Sequence, residues 1–554
     1  MEHPVRALRD FFGLLAALTC TDLFAEQFFV CDCSTDAIAS CVAGDDSADG
    51  TVLEPWRSYE RARTAFGGIS AGDTIALCRG GGWEVSGGSS RWVNGDCEAS
   101  NRCTIGSYLP TWADETAPRP KIARLDGQTA FAFQDGGTAE HEEGYILSGL
   151  ELQGVGFGNG VLLQNDIDDV LLDDLLIHDF RIGVHLAGSN DCGPDPECDG
   201  FNERIELRDS LILNNEAFGW LGSSNGSRIV NSTFDSNGSL EILDHNIYIS
   251  GSSGAPTTGI EIIGNRLYRS TLDAMGVCRA VSLVVHGEHS NLLIEGNEVW
   301  EDVGMTARGC WGIAVDPGFM EAEAFTDVVI RGNTVRNVGN RAIGIASCVR
   351  CVIENNVVIQ ENVADTFSAV GIAAPDRDRG PNDAVMDDVV IRNNTVYFGP
   401  GSTGEAIRMH TEGDGHEVVS NVVFYAGDGG FSCFDADLPV ASYAAFDHNH
   451  CFSQNAGSAQ WTQGFGDLSN WQMTTGLDLA SGQSDPLLAD PDQGNFQPQS
   501  GASTLVDAGH PTLSSAVDFT GDFRDPAPDR GAFEWRDPLD DFLFTDSFET
   551  NPLP

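Results

Sequence analysis

Tyrosine, histidine and arginine side chains recur along one part of the chain at spacings that could place them on a common surface. His245 and Tyr248 lie in the stretch DHNIYISG, and Arg279 and His286 lie in VCRAVSLVVHG. A Tyr–His pair can exchange protons with a bound substrate, and a guanidinium can hold a carboxylate by paired hydrogen bonds. These four residues are the candidate catalytic group: Tyr248 as base or acid, His286 or His245 as its partner, and Arg279 as the neutralising cation.

The stretch around Tyr248 has the alternation of a half-buried strand. Ile247 and Ile249 are expected to face the core, while Asn246 and Tyr248 are expected to face outward. Outward polar groups are also the ordinary property of a strand with one wet face. The pattern is therefore open to two interpretations, a catalytic face or a solvated one.

The elements that must position these residues belong to a repeat. Phrases such as RIVNSTF, IEIIGNRLY, VVIRGNTV and VVIRNNTVY recur at spacings of 22 to 38 residues, which is typical of a solenoid. The strand-like period inside each unit selects a β-solenoid. The turn position of the phrase is expected at Gly149, Asp174, Asp209, Asn231, Asn265, Asn297, Asn333, Asn356, Asn394, Asn421 and Asn449.

A second phrase, as in GVHLA, NIYIS, SLVVH, GIAVD and AIRMH, predicts a second strand in each unit. Equivalent strands of successive units stack about 4.8 Å apart, so outward side chains form columns. One column is expected to contain His185, Tyr248, Val284, Ala314, Gly344, Gly371 and Arg408, and the next Ala187, Ser250, His286, Asp316, Ala346, Ala373 and His410. Small residues between the polar groups predict a shallow trough that fits a linear polymer, with substrate-binding candidates Asn246, Asp316, Trp311, Arg408 and His410.

These repeats resemble the right-handed parallel β-helix family, the pectate-lyase-like superfamily, over roughly residues 140 to 460. The segments GDDSADGT and AGDTIAL resemble the N-terminal region of secreted members, where a short helix caps the core. The segment DFTGDFRDPAPDRGAFEW resembles their closing segment. The expected fold is therefore all-β, a right-handed parallel β-helix with an Asn-containing turn ladder and an N-terminal cap.

The resemblance implies a carbohydrate-active enzyme, and a polysaccharide lyase acting on an acidic, uronate-containing polysaccharide by β-elimination is the leading hypothesis. The single lysine, Lys121, lies far from the polar group, so a lysine base is disfavoured. The GHG element of polygalacturonases and the DPH element of epimerases are absent, and the one RxK tripeptide, at residues 119–121, ends in this same lysine. What remains is elimination by the Tyr and His residues.

Two alternatives stay open. A glycoside hydrolase needs two carboxyl groups, about 5 Å apart or wider, which Asp316 could form with Glu301, Asp302 or Asp273. A non-catalytic protein that binds polysaccharide or a cell surface fits the same fold, because fold does not fix function.

Asp45, Asp46 and Asp49 form a candidate Ca²⁺ site, because hard cations prefer clustered oxygen ligands. A polar turn is the alternative for this stretch. The spacing of the histidines does not suggest a zinc site. Apart from Ca²⁺, no cofactor is expected.

Charge and targeting signals limit the partners and the compartment. Lys and Arg total 30 against 83 Asp and Glu, a net charge of −53, which argues against nucleic acid as a partner. The first 25 residues have basic residues and then a short apolar run, the pattern of a signal peptide. No longer apolar run predicts a transmembrane segment. We expect a secreted or periplasmic monomer.

The cysteine content fits export. Of 15 cysteines, Cys20 lies in the predicted signal peptide, and an even number remains, which favours disulfides over metal sites. Expected local pairs are Cys97 with Cys103 and Cys192 with Cys198. Cys348 and Cys351 form a CxxC without the βαβ context of a redox motif, which favours a structural bridge or stacked thiols.

The expected organisation is one domain over residues 26–535. It comprises a cap at 26–120 and a closing segment at 460–535, and a C-terminal tail follows at 536–554.

Overall fold

The structure of the chain is a computed structural model, and it describes residues 25–134, 143–188, 200–239, 243–251, 256–362, 369–375, 379–410, 413–427, 432–436, 440–455 and 460–537. The predicted signal peptide before Ala25, the predicted pair Cys192 and Cys198, and the predicted tail beyond Asp537 lie outside these residues.

Three long parallel sheets, which we name A, B and C, make up the molecule. Sheet A has 14 strands: Gln27–Val30, Thr74–Cys78, Cys103–Tyr108, Tyr145–Ser148, Leu171–Asp173, Glu206–Arg208, Arg228–Val230, Glu261–Ile263, Leu293–Glu295, Val329–Arg331, Val352–Glu354, Val390–Arg392, His416–Val419 and Tyr443–Asp447.

Sheet B follows sheet A within each coil. Its 13 strands are Gly82–Val85, Lys121–Arg124, Glu151–Gln153, Leu176–His178, Leu211–Leu213, Thr233–Asp235, Arg266–Tyr268, Glu298–Trp300, Thr334–Arg336, Val357–Gln360, Thr395–Phe398, Val422–Tyr425 and His450–Ser453.

Sheet C completes each coil. Its 13 strands are Arg91–Trp92, Phe131–Gln134, Asn159–Gln164, Ile182–Ala187, Phe218–Leu221, His245–Ser250, Leu283–His286, Ile313–Val315, Arg341–Ile345, Ala369–Pro375, Gly404–His410, Ser432–Ala436 and Gln460–Thr462.

Smaller elements complete the described chain. A four-stranded parallel sheet contains Thr257–Thr258, Glu288–Ser290, Ala324–Thr326 and Cys348–Val349, and Leu488–Asp490 pairs with Asn495–Pro498 in an antiparallel hairpin. The helices are the α-helices Tyr59–Phe66 and Leu468–Thr475 and the 3₁₀ turns Val440–Ser442 and Pro491–Gln493.

The chain runs through sheets A, B and C in turn and then starts the next coil, so each strand pairs with the equivalent strand one coil away. This is the predicted right-handed parallel β-helix. Apolar side chains at equivalent positions stack into interior columns. In sheet C, Ile313, Ile343, Ile372 and Ile407 are in register and at most 1% exposed. Such continuous burial is what holds a solenoid together, since each coil contacts mainly its neighbours.

The turn between sheets A and B contains a ladder of hydrogen bonds. The main-chain NH of Asn265 donates to Oδ1 of Asn297 at 2.9 Å, and the NH of Asn297 donates to Oδ1 of Asn333 at 2.9 Å. The same contact continues through Asn356, Asn394, Asn421 and Asn449. These side chains are at most 2% exposed, so the ladder satisfies polar groups that would otherwise be buried without partners.

The expected turn positions were wrong by one residue in the earlier coils. Asp209 and Asn231 have positive φ angles of 50° and 49°, and they occupy the place that Gly264 fills further along. The ladder position is the next residue, Ser210 or Ser232, whose Oγ accepts the NH of the preceding ladder residue. Asn and Asp tolerate the left-handed conformation, so both positions attract similar residues and the sequence alone confused them.

The two ends of the solenoid have additional structure. Helix Tyr59–Phe66, capped by Ser58, buries Tyr59, Ala62 and Phe66 against the first coils. Trp92 Nε1 donates to the Tyr59 hydroxyl at 2.7 Å. Near the C-terminus, residues 485–535 run along the outer face of sheet B. There Leu488, Phe496 and Leu505 form a second apolar cluster with sheet residues that include Tyr397 and Phe424.

Six disulfides join described cysteines: Cys31–Cys78, Cys33–Cys41, Cys97–Cys103, Cys278–Cys310, Cys348–Cys351 and Cys433–Cys451. The predicted Cys97–Cys103 pair is confirmed, and the CxxC cysteines form a bridge buried in the wall. Disulfides persist in oxidising compartments, which indicates folding outside the cytoplasm. Among the described helices, none has the length and apolar character to cross a membrane.

Candidate functional site

The outer face of sheet C carries Tyr248, and a local bend in the strand determines what lies beside it. His245 and Tyr248 pack edge to face on the outside, with ring centroids 5.3 Å apart. Between them, both Asn246 and Ile247 face the interior, with 0% exposure. The strict alternation predicted from sequence therefore fails at this corner, where two successive residues point inward.

Asn246 is consequently not available as the predicted substrate-binding residue. Its Oδ1 accepts from Asn237 Nδ2 at 3.0 Å, and its Nδ2 donates to Ser282 Oγ and to the Tyr268 carbonyl at 3.2 Å. The preceding coil has Gly219 at the equivalent corner, where a Cβ would lie 2.5 Å from the Asn246 carbonyl. Asn246 thus belongs to the wall of the helix, because a buried amide needs these partners.

Tyr248 and His286 lie together on adjacent coils, as predicted. Their rings pack edge to face with centroids 5.6 Å apart, and Ser250 is in register with His286. Phe218, on the preceding coil, contacts both Tyr248 and His245. An aromatic and imidazole row therefore runs across three coils.

His286 is held by the loop that follows the next strand. Its Nδ1 lies 2.5 Å from the Asp316 carbonyl oxygen, and its ring packs edge to face on Phe319 at 5.6 Å. A Cβ at Gly318 would lie 2.5 Å from His286 Nε2, so glycine is what allows the loop to pass this close to the imidazole. Because a carbonyl only accepts, Nδ1 carries a proton, and the neutral form of this imidazole is the tautomer with its lone pair on Nε2.

Glu323 anchors the same loop and was not identified from the sequence. Its carboxylate accepts three main-chain NH groups, from Gly287 at 2.6 Å and from Gly318 and Phe319 at 2.7 Å. Burial raises the pKa of Glu323, while these hydrogen bonds oppose the rise. The carboxylate ties the loop to the end of the His286 strand.

The pKa values of Tyr248 and His245 differ from those of free side chains. Burial, with a contribution from Glu323, raises the pKa of Tyr248 to about 12. Burial lowers the pKa of His245 to about 3, and its Nδ1 lies 2.8 Å from the Val281 carbonyl. At neutral pH the phenol is therefore protonated and the His245 imidazole is neutral.

The described contacts of the Arg279 side chain are with Asp273 and not with the rings of Tyr248, His245 or His286. Its guanidinium pairs with Asp273, with Nε donating to Oδ2 at 2.8 Å. An arginine held this way must give up its partner before it can bind a substrate carboxylate.

The carboxyl groups considered for hydrolysis with Asp316 also have other contacts. Asp302 accepts the hydroxyl of Tyr268 on sheet B, and Asp273 holds Arg279. Glu301 is buried and accepts the NH of Ser270 at 2.9 Å, and its pKa is raised to about 8 by burial. Each carboxyl group thus has a structural contact of its own.

Further along sheet C the face becomes small and cationic. Tyr248, Val284, Ala314, Gly344, Ala373 and Arg408 are in register on successive coils. The predicted neighbour of Gly344, Gly371, was wrong by two residues, because Gly371 sits at the inward corner against the Ala406 carbonyl. A slip of two keeps the same face outward, so Arg408 remains in the Tyr248 column.

At this end of the outer face lie two arginines, Arg341 and Arg408, and the neighbouring tryptophan, Trp311. Arg408 pairs with Glu405 and lies 3.3 Å from Asp435. The Arg341 guanidinium lies over the Trp311 ring, 4.7 Å from its centroid. His410 ends its strand in register with Pro375, and its side chain is not among those described. Arg341 was missed from the sequence because it lies outside the alternating phrase.

The structure does not gather the predicted Ca²⁺ ligands. Asp45 accepts the NH and Oγ of Ser47, and Asp46 accepts the NH groups of Arg57 and Ser58. Within the described residues, the only group of three possible metal ligands is Cys278, Glu301 and Cys310, whose two cysteines form a disulfide. Asp45, Asp46 and Asp49 therefore do not fit a Ca²⁺ site in this arrangement.

Comparison with known proteins gives no match to a protein-family profile or to a curated protein. Similar solved structures include the A-module of Azotobacter vinelandii mannuronan C-5 epimerase AlgE6 (14% identity, TM-score 0.47, 77% of this chain and 93% of that one). They also include pectate lyase Pel9A (13%, 0.38, 92% and 98%) and the Dettilon tailspike protein gp208 (11%, 0.44, 76% and 69%). At these identities the likeness concerns the fold alone. By its three continuous parallel sheets, the chain is a right-handed parallel β-helix protein.

Proposed function

We propose that this chain is an exported enzyme that binds an acidic, uronate-containing polysaccharide along the outer face of sheet C and cleaves it by β-elimination. The observation that carries the proposal is the Tyr248–His286 pair. The two rings are in contact on adjacent coils, and one of them is fixed in a defined tautomer.

The two side chains supply complementary proton transfers. His286 Nε2 takes the proton from the sugar carbon beside the carboxylate, and the electron pair left behind forms a carbon–carbon double bond as the glycosidic C–O bond breaks. Tyr248 gives its proton to the departing oxygen, a role that suits a phenol with a pKa of about 12. The proton on His286 then returns to Tyr248 through solvent.

The charge of the face supports an anionic ligand. Ala314, Gly344 and Ala373 continue the Tyr248 column as small, buried residues, and the Arg341 side chain lies beside this column at Gly344. In a chain with a net charge of −53, an anionic polymer needs such a local cation to overcome long-range repulsion.

The test is product formation. Purified protein is incubated with a panel of uronate polymers, and the ultraviolet absorbance of the unsaturated product is recorded. Tyr248→Phe and His286→Ala are each expected to reduce the rate by about 10² to 10⁴. Tyr268→Phe, which alters an outward tyrosine of sheet B, is the matched control and should keep full activity.

Three outcomes count against elimination. Unchanged activity in both site variants would show that Tyr248 and His286 are not the catalytic residues. Absence of unsaturated product across the panel would contradict lyase activity. Release of reducing ends without ultraviolet absorbance favours the hydrolase instead.

The second candidate is a non-catalytic polysaccharide-binding protein. The stacking of Trp311 and Arg341 favours it, because this pair can contact a glycan without any proton transfer. Binding of a uronate oligosaccharide without turnover would support this function.

A further inference from the structure

Arg341 presents a guanidinium in a fixed orientation on the outer face of sheet C. It lies over the Trp311 ring, and its Cδ is 3.5 Å from the place where a Gly344 Cβ would be. Trp311 in turn donates from Nε1 to the Arg308 carbonyl at 3.1 Å. The tryptophan therefore supports the arginine, and the aliphatic part of the arginine side chain lies against the strand at Gly344.

The charge around Arg341 is unusual for this molecule. Other arginines along the coils pair with acidic side chains, as Arg331 does with Glu295 at 2.9 Å and Arg392 with Glu354 at 2.8 Å. Arg341 forms no ion pair with any carboxylate of the described residues, although acidic residues outnumber basic ones in the chain. Burial and the nearby Arg408 lower the pKa of Arg341.

A half-buried cation that none of the described carboxylates neutralises is unfavourable, and an incoming carboxylate would relieve the cost. Arg408 does not offer the same opportunity, because Glu405 and Asp435 already neutralise it. Of these two arginines, Arg341 is therefore the one that can bind an incoming anion.

The distance of Arg341 from the proposed catalytic pair determines which sugar unit of a bound polysaccharide it would contact. Gly344 lies three coils from Tyr248 in the register of sheet C. At about 4.8 Å per coil, this is about 14 Å from Tyr248 and about 10 Å from His286, which lies one coil nearer. A single sugar cannot span that distance, so Arg341 would contact a unit distant from the bond that is cleaved.

We infer that Arg341 and Trp311 form a distal subsite in which the guanidinium binds the carboxylate of a uronate unit through two parallel hydrogen bonds. Arg341 is the binding residue, and Trp311 is a positioning residue that holds its plane. The inference rests on the proposed function for the substrate class only, and it does not require catalysis. A planar guanidinium suits a carboxylate because the two groups match in geometry.

Binding of defined oligouronates tests the subsite. Calorimetric titrations use protein carrying Tyr248→Phe, to prevent turnover, with and without Arg341→Gln. Arg341→Gln is expected to weaken binding at least tenfold and to reduce its salt dependence. Arg341→Lys should recover only part of the loss, because lysine lacks the planar fork. Trp311→Ala should weaken binding less than Arg341→Gln does.

The matched control is Arg350→Gln, since Arg350 is exposed and pairs with Asp327 at 2.8 Å on another part of the surface. This control should bind as the parent does, and thermal melts establish that every variant is folded. A neutral oligosaccharide of the same length should bind at least tenfold more weakly than the oligouronate.

Equal affinity with and without Arg341→Gln overturns the subsite, whatever the lyase assay shows. So does absence of binding by the parent protein at millimolar oligouronate. Tighter binding of a sulfated oligosaccharide overturns the carboxylate assignment. Conversely, Arg341-dependent binding without any unsaturated product would support the subsite and contradict the proposed lyase activity.

Discussion

His286 Nδ1 lies 2.5 Å from the main-chain oxygen of Asp316, whereas the Asp316 carboxylate oxygen Oδ1 is 3.8 Å from the same nitrogen. The main-chain carbonyl is therefore the acceptor of the imidazole hydrogen bond, and the carboxylate lies at ion-pair distance behind it. A carbonyl can only accept a hydrogen bond, so it selects the tautomer protonated at Nδ1 without adding a negative charge.

This geometry predicts different effects for two substitutions. Asp316→Asn keeps the carbonyl and should stay within about tenfold of the wild-type rate. His286→Ala removes the proposed base and should cost about 10² to 10⁴. Initial rates on the best uronate polymer check the difference. A loss in Asp316→Asn as large as that in His286→Ala would show that the carboxylate, rather than the carbonyl, supports the histidine.

Glu323 should be important for both stability and rate, although it contacts the site only through the main chain. Glu323→Gln keeps one acceptor oxygen but places an NH₂ group against the NH donors of the other, and we expect a loss of about 2–3 kcal/mol in the free energy of unfolding. The rate should fall as well, because Gly318 and Phe319 would no longer hold His286 in position. Denaturant unfolding and initial rates measure the two effects.

The neighbouring Glu321 is exposed and provides the control. Glu321→Gln should change stability by no more than about 0.5 kcal/mol. If Glu323→Gln behaves in the same way, the carboxylate does not anchor the loop.

Most of the fold was predictable because two-residue periodicity and internal repetition are local signals. The inward column through Ile313, Ile343 and Ile407 follows directly from the sequence. Exact register was harder, as the shift at Gly371 shows, because a displacement of two residues leaves the hydrophobic pattern unchanged.

The site was predictable only where it follows the periodic pattern. Tyr248 and His286 occupy outward positions of adjacent units, and the structure brings them into contact. Asn246 was assigned to the wrong face because a corner interrupts the alternation. Glu323 and Arg341 act through a loop and a bend, and their contacts arise from three-dimensional packing that no local spacing encodes.

The asparagine ladder should be sensitive to side-chain chemistry. Asn333 Nδ2 donates to the Ile294 carbonyl at 2.9 Å, and its Oδ1 accepts the NH of Asn297. Asn333→Ala leaves buried groups unsatisfied and should lower the free energy of unfolding by about 3 kcal/mol. Asn333→Ser should lose less, because Ser210 and Ser232 occupy this position in earlier coils with Oγ as the acceptor.

Equilibrium denaturation of both Asn333 variants tests the ladder. Equal losses for alanine and serine would mean that the hydroxyl does not replace the amide oxygen as an acceptor. A negligible loss for alanine would contradict a stabilising ladder.

His245 should contribute a defined pH dependence of stability. Its pKa falls from about 6.5 in the unfolded chain to about 3 in the fold because of burial. The unfolded state therefore binds more protons between these values, so the neutral histidine's contribution is complete above pH 6.5 and declines as the pH falls toward 3.

Substitution by phenylalanine removes this titration. When the pH is lowered from 7.5 to 5, the wild type loses stability and the variant does not. The free energy of unfolding of His245→Phe relative to wild type should therefore rise by on the order of 2 kcal/mol. Denaturant unfolding at the two pH values measures the change. A difference that does not depend on pH would mean that His245 is not buried as a neutral ring.

The C-terminal segment has a consequence for the order in which the protein matures. Arg524 Nη2 donates to Asn355 Oδ1 at 3.0 Å across 169 positions of sequence, and Leu488 and Phe496 cover the outer side of Tyr397 and Phe424. During synthesis the coils can stack as they leave the ribosome, but this part of sheet B stays uncovered until the last residues arrive. A chain truncated before residue 485 would therefore be expected to expose an adhesive apolar stripe, and the nascent protein should depend on chaperones most during that interval.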